Sequence, residues 1–254
     1  MAEQRQVQRQ LRSNLCIVVL GKQGQGKSLL ARAIFAREVL DGLRDHYISI
    51  STKPDHVQPM APTSGPNLEI NLAKLGFKHL QLTPEDPVER LNLEKVLDKN
   101  PKLCITVAGL NPEQTRIVMN HVGKVGLKLG SMVVLVDEAD RLIPRHHATP
   151  EEMLNLTRQG RFKGVDLIFV SHNDTSIHPE IVQEANMVVA FGMKHPTRIE
   201  RLRHFFDDPR ILSSLQRYEY VVAYDQTGEI CMCNSTEDLR ALKEEAPHIF
   251  AEAG

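Results

Sequence analysis

The sequence predicts an α/β fold built on a largely parallel central sheet, completed near its C-terminal end by a β-hairpin and a helix. Three observations predict it. Apolar runs of five or six residues alternate along the chain with segments of helical periodicity. A glycine-rich loop, Gly21-Lys22-Gln23-Gly24-Gln25-Gly26-Lys27-Ser28, stands between the first apolar run and the first helical segment. A later apolar run, Met132-Val133-Val134-Leu135-Val136, ends directly in Asp137-Glu138, and parallel sheets bind ligands at this C-terminal edge of their strands.

Residues 15–20 read as a strand buried on both faces. Residues 29–40 carry apolar side chains at helical spacing and stop before Asp41-Gly42. A second strand at 46–51 leads into 53–67, whose prolines and polar residues exclude a core element. A short strand at 77–82, a helix at 87–97 and a buried strand at 103–108 follow. Asn111-Pro112-Glu113 supplies a capping side chain, a proline for the first turn and an acid at the dipole's positive end, so a helix runs from there to about 129. The strand at 132–136, a helix at 150–159, a strand at 165–170, a short helix at 179–185 and a strand at 187–191 complete the alternation. The last quarter changes style, with an Arg-rich helix at 198–206 and a hairpin whose strands, 218–224 and 229–233, flank Asp225-Gln226-Thr227-Gly228. Ser235-Thr236-Glu237-Asp238 then opens a final amphipathic helix.

A chain of 254 residues has room for one large core, read as a domain over 14–254 behind a polar arm at 1–13. With 41% apolar and 25% charged residues the composition is that of a globular protein, not a disordered or fibrous one. No apolar run approaches the ~18 residues of a membrane span, and residues 1–14 lack the hydrophobic stretch of a signal peptide, which implies a cytoplasmic location. Four cysteines are few, and Cys16 and Cys104 lie inside apolar runs, so reduced thiols are expected. Cys231 and Cys233 share one side of a strand; without a second Cys or His pair at zinc-ligand spacing they read as packing. A net charge of -1 gives no global attraction to nucleic acid, so any such contact must be local.

The glycine loop has the chemistry of a phosphate cradle. Backbone N–H groups of Gly21, Lys22, Gln23, Gly24, Gln25, Gly26, Lys27, Ser28 and Leu29 surround ATP phosphates, with glycines where the chain must approach closely. Lys27 meets the β- and γ-phosphates, and the Ser28 hydroxyl binds Mg²⁺. Asp137 is the second Mg²⁺ carboxylate, acting through water, and Glu138 is placed to polarise the attacking water. Together they imply ATP hydrolysis, with Lys27 and Glu138 as catalytic residues. Asp137-Glu138-Ala139-Asp140 also spells the tetrapeptide of a large helicase class, but such helicases need two tandem nucleotide-handling domains.

From Arg158-Gln159-Gly160-Arg161-Phe162-Lys163-Gly164 through the strand to Val170-Ser171-His172-Asn173, then Pro179-Glu180-Ile181 and Ala185-Asn186-Met187-Val188-Val189-Ala190-Phe191, the chain resembles the FtsK and HerA superfamily of DNA-pumping ATPases. Within it, the compact size and the closing hairpin and helix look most like the genome-packaging ATPases of icosahedral viruses with an internal membrane. The similarity covers most of 14–234. It implies a homo-oligomeric, hexameric ring moving double-stranded DNA without sequence specificity, in the host cytoplasm and at a virion vertex, where a capsid-vertex or membrane protein would anchor it. It further implies that Arg161 acts in trans as an arginine finger on the neighbour's γ-phosphate, with Arg158 and Arg145 as substitutes. The family has Gln where this chain has His172, so His172 or Asn173 is the implied γ-phosphate sensor. Candidate DNA contacts are Arg141, Arg145, His146, His147, Lys53 and the arm's Arg5, Arg9 and Arg12. The rival readings are an AAA+ ATPase, which should carry a C-terminal helical lid, a cellular HerA-like remodelling ATPase, and an ATP-gated assembly switch.

Overall fold

The computed structural model describes residues 14–57, 68–146, 148–172, 177–224 and 230–251. Asn173, His147, the arm, the hairpin turn and most of the irregular stretch fall outside them.

Among the described residues, nine strands form one sheet: β1 (Cys16–Leu20), β2 (His46–Ser51), β3 (Lys78–Gln81), β4 (Lys102–Thr106), β5 (Met132–Val136), β6 (Val165–Ser171), β7 (Met187–Phe191), β8 (Glu219–Tyr224) and β9 (Ile230–Asn234). Their order across the sheet is β3-β4-β2-β5-β6-β1-β7-β8-β9. The pairings from β3 to β7 are parallel, and β8 adds to β7, and β9 to β8, in antiparallel register. The expected parallel sheet and C-terminal hairpin are therefore present, with β6 inserted between the strand that feeds the glycine loop and the strand that ends in the acids.

The apolar runs form strands because both faces are covered. Along β5 every residue is buried, and alternate side chains serve two cores. Val134, Val136, Leu167 and Phe169 point into one, beneath α2 (Leu93–Lys99), α3 (Pro112–Leu129) and α5 (Glu151–Gln159). Val133, Leu135, Ile168 and Val170 point into the other, beneath α1 (Lys27–Asp41) and, towards the sheet's end, α9 (Ser235–Glu245). Burying each such side chain contributes about 1.5–3 kcal/mol. Gly123 lets α3 approach α5, since a Cβ there would lie 2.3 Å from the Glu152 carbonyl carbon. The Asn111 start is a full capping box, reciprocated by Gln114.

Several boundaries differ from expectation, each for a local reason. The stretch expected as one helix at 87–97 is a 3₁₀ turn (Val88–Arg90) followed by α2, because the Asn92 side chain accepts from the Lys95 amide and restarts the helix. The Arg-rich helix begins earlier, at Pro196, and is only α7 (Pro196–Arg201). Asn234, not Ser235, caps α9, leaving the Ser235 hydroxyl to donate to the Tyr218 carbonyl. Helix α1 begins at Lys27, so Lys27 and Ser28 lie in its first turn. The irregular stretch does enter the core: Pro54–His56 forms a 3₁₀ turn that buries His56 and Val57.

Candidate nucleotide site

The glycine loop leaves β1 at the C-terminal edge of the sheet, and Gly21, Gly24 and Gly26 all take positive φ. These values suit glycine and let the backbone turn around an anion. Gln23, Gly24, Gly26, Lys27, Ser28 and Leu29 line a cleft of about 300 Å³ together with Asp137, Glu138 and His172. The structure thus brings the loop, both acids and His172 together. Lys27 is buried and donates to the Lys22 carbonyl at 2.6 Å. Burial lowers its ammonium to about 8, against the pull of Asp137 and Asp140.

Asp137 follows β5 and accepts from the Ser28 hydroxyl at 3.1 Å. A hydroxyl and a carboxylate converging at a helix start suit a hard divalent cation such as Mg²⁺, which neutralises charge on the phosphates when bound. Burial alone would raise the Asp137 carboxyl, but hydrogen bonds from His56 and Ser28 and the charges of His56 and Arg32 outweigh it and hold it at about 2. Glu138 comes next in a left-handed backbone conformation, φ 57° and ψ 44°, a strain of about 1–2 kcal/mol for a residue with a Cβ. The one-turn α4 (Ala139–Leu142) follows it, and the turn keeps the Glu138 carboxylate at the strand edge. Asp140 ties this turn to β6, accepting from the Ser171 hydroxyl and the His172 amide. His172 Nε2 stands 4.0 Å from the Glu138 carboxylate, and burial, then Lys27, lowers its pKa.

The site also holds His56, Arg32, Arg217 and Tyr218, which no motif in the sequence singles out. His56 spans the buried space between Ser49 Oγ (2.5 Å) and Asp137 Oδ2 (3.2 Å). Arg32 reaches the Ser28 and Asp55 carbonyls and pairs with Glu69 at 3.1 Å; its position four residues after Ser28 was the one available clue. Arg217 donates to the Gly24 carbonyl at 3.3 Å and stacks on the Tyr218 ring, 4.7 Å away. Tyr218 itself has φ 73° and packs so closely on the loop that a Cβ at Gly26 would lie 2.9 Å from its ring. Thr52 and Lys53 both bind the Glu138 carboxylate, Lys53 at 3.0 Å, so this candidate DNA contact stands inside the site.

Arg161 is elsewhere. It precedes β6, at the N-terminal edge of the strands, beside Asn14, Cys16 and Glu184, with its guanidinium 4.7 Å from the Phe162 ring. At ~3.3 Å per strand residue that edge is about 20 Å from the glycine loop. Arg158 is bound within its own chain to Glu180 and to Asn155.

The fold is that of the P-loop NTPases. No protein-family model matches the chain, and no curated protein matches it in sequence. Among solved structures, the genome packaging NTPase B204 from Sulfolobus turreted icosahedral virus 2, in complex with AMP, is similar with a TM-score of 0.63 at 15% identity, over 87% of this chain and 98% of that one. VirB4 of Thermoanaerobacter pseudethanolicus is similar with a TM-score of 0.59 at 12% identity, over 89% of this chain and 90% of that one. The pCW3 conjugation coupling protein TcpA, with ATPγS, follows with 0.54 at 11%, over 91% of this chain and 65% of that one. These likenesses bear out, at the level of fold, the resemblance drawn from residues 158–191.

Proposed function

We propose that the chain is an ATP-hydrolysing ring motor that translocates double-stranded DNA, serving to package a viral genome. The observation that carries hydrolysis is the convergence of Ser28, Asp137 and Glu138 on one cleft beside the buried Lys27. Glu138 takes the proton of a water whose oxygen bonds to the γ-phosphorus; the bond to the β–γ bridging oxygen breaks, and ADP leaves with the electron pair. Ser28 and Asp137, the latter through water, would hold Mg²⁺, the loop from Gly21 to Leu29 holds the phosphates, and His172 or Asn173 senses the γ-phosphate.

The position of Arg161 supports a ring in which it acts on a neighbour. An arginine at the far edge of its own sheet cannot reach its own cleft, so it serves a neighbour's or none. Arg158 is already paired, which leaves Arg161 ahead of it. DNA as the cargo, the hexamer, the capsid-vertex or membrane anchor and the place in host cytoplasm and virion rest on the family resemblance and on the likeness to a packaging NTPase. Among the described residues no helix is long and apolar enough to cross a membrane. The antiparallel β8–β9 pair followed by the single helix α9 stands where an AAA+ protein would carry a helical lid. A cellular HerA-like role is the second reading, favoured by the likeness to the coupling protein TcpA.

The test is ATP turnover with and without long duplex DNA. The motor reading expects stimulation by DNA, lost with Lys27→Ala at an unchanged fold. ATP turnover that long duplex leaves unchanged would refute translocation and leave the assembly switch.

A further inference from the structure

Asp137 is held on its inner side by a residue that lies outside the cleft. Its Oδ1 accepts from the Glu138 amide at 2.9 Å and from the Ser28 hydroxyl at 3.1 Å. Its Oδ2 lies 3.2 Å from His56 Nε2. An ionised carboxylate only accepts, so Nε2 is the donor, whichever state the other ring nitrogen takes. The ring is fixed at its far end as well, where Nδ1 stands 2.5 Å from Oγ of Ser49, a residue of β2. Asp55 Oδ1, 4.0 Å from Nε2, is beyond hydrogen-bond reach and leaves that proton to Asp137.

The backbone holds the imidazole in place. Pro54–His56 is a single 3₁₀ turn, closed by the Val57 amide on the Pro54 carbonyl. Arg32, one turn of α1 beyond Ser28, donates to the Asp55 carbonyl, so the helix that carries Ser28 also pins the turn that carries His56. Ser28 and Asp137 line the nucleotide cleft, whereas His56 is 3% exposed and lies behind that lining. A buried imidazole is costly unless both nitrogens are partnered. Here both are, and one partner is the carboxylate that would meet the cation. The Glu138 amide on Oδ1 and His56 on Oδ2 together set the plane of that carboxylate.

We propose that His56 is a positioning residue for Mg²⁺: by holding Oδ2 it keeps Oδ1 of Asp137 turned to Ser28, so that hydroxyl and carboxylate receive the cation of Mg²⁺–ATP without rearranging. The proposal rests on the reading of the cleft as a Mg²⁺–ATP site. His56 reaches neither nucleotide nor cation and acts only through Asp137. Outer partners of this kind orient a metal ligand and are worth about 10- to 100-fold in metal affinity.

Two amide side chains separate orientation from the filling of space. Gln sets its amide N–H where Nε2 stands and still reaches Asp137, while Asn sets its amide near Nδ1, keeps Ser49 and falls short of Asp137. The full chain as wild type, His56→Gln, His56→Asn and Ser49→Ala is titrated with a fluorescent, non-hydrolysable ATP analogue in Mg²⁺ and in EDTA, and the ratio of the two affinities is read. His56→Asn lowers that ratio by about 10- to 100-fold and leaves the affinity in EDTA at the wild-type value. His56→Gln restores the ratio. Ser49→Ala frees the ring from behind without touching Asp137 and lowers the ratio by a smaller factor, which carries the test should the buried ring tolerate no replacement. An unchanged ratio in His56→Asn or in Ser49→Ala, or an equal loss of affinity in Mg²⁺ and in EDTA, overturns the proposal while the Mg²⁺–ATP reading stands. A wild type that binds the analogue equally with and without Mg²⁺ overturns both.

Discussion

At the N-terminal edge of the strands Arg44 and Asp166 are buried as a closed pair, whereas at the C-terminal edge Asp137 and Glu138 are buried among donors that lead out to the cleft. The Arg44 guanidinium meets Asp166 through two hydrogen bonds of 2.7 and 3.2 Å, and Asn14 Oδ1 and the Leu15 amide complete the group. Every partner there is internal, so the pair locks the starts of β1 and β6 to the approach to β2. At the other edge Asp137 faces the cleft through Ser28, and Glu138 sits in a strained backbone with a half-exposed lysine as partner. Equal burial thus has opposite meaning: saturated charge holds the fold, and charge left open towards solvent is placed where chemistry can be done.

Substitutions at the two edges should separate along that line. The largest effect belongs to Glu138→Gln, which should lower ATP turnover by about 10²–10⁴-fold, the usual worth of a general base, with the melting temperature nearly unchanged, because Gln keeps the shape of Glu and the same backbone. Asp166→Ala should do the reverse. It strands a buried guanidinium, costing about 3–5 kcal/mol in urea unfolding, while nucleotide binding by the folded fraction stays at the wild-type value. Gly123→Ala drives a Cβ into the Glu152 backbone where α3 meets α5 and should cost about 1–3 kcal/mol in the same assay. The mildest probe is chemical. Burial raises the Cys16 and Cys104 thiols from the ordinary 9.0 to about 12, so both stay protonated at pH 9 and gain thiolate only as pH nears 12. Maleimide at pH 9 should label them about 10³-fold more slowly in the folded chain than in urea.

How much of this the sequence disclosed follows from how local each feature is. The phosphate loop was readable because its chemistry needs consecutive residues, and Asp137 and Glu138 were readable because they end a run buried on both faces. The Asn111 cap was readable for the same reason, since the box closes within three residues. Asn92 was missed because the proline at 87 offered an equally local start. His56, Arg217 and Tyr218 were not legible at all. His56 lies in a stretch whose composition argues against burial, and Arg217 meets Gly24 across 193 residues of chain. Only the pairing of β8 with β7 brings it there.

In the proposed motor, one edge of each subunit does the chemistry and the opposite edge completes it for a neighbour. The most direct test of that division mixes two inactive variants, Arg161→Ala and Glu138→Gln. Each alone should turn over little ATP, and equal mixing in a ring should make up to about one quarter of the interfaces competent. Activity recovered on mixing is the predicted result. Mixed rings as inactive as either parent, or an Arg161→Ala chain that hydrolyses ATP at the wild-type rate, would contradict it.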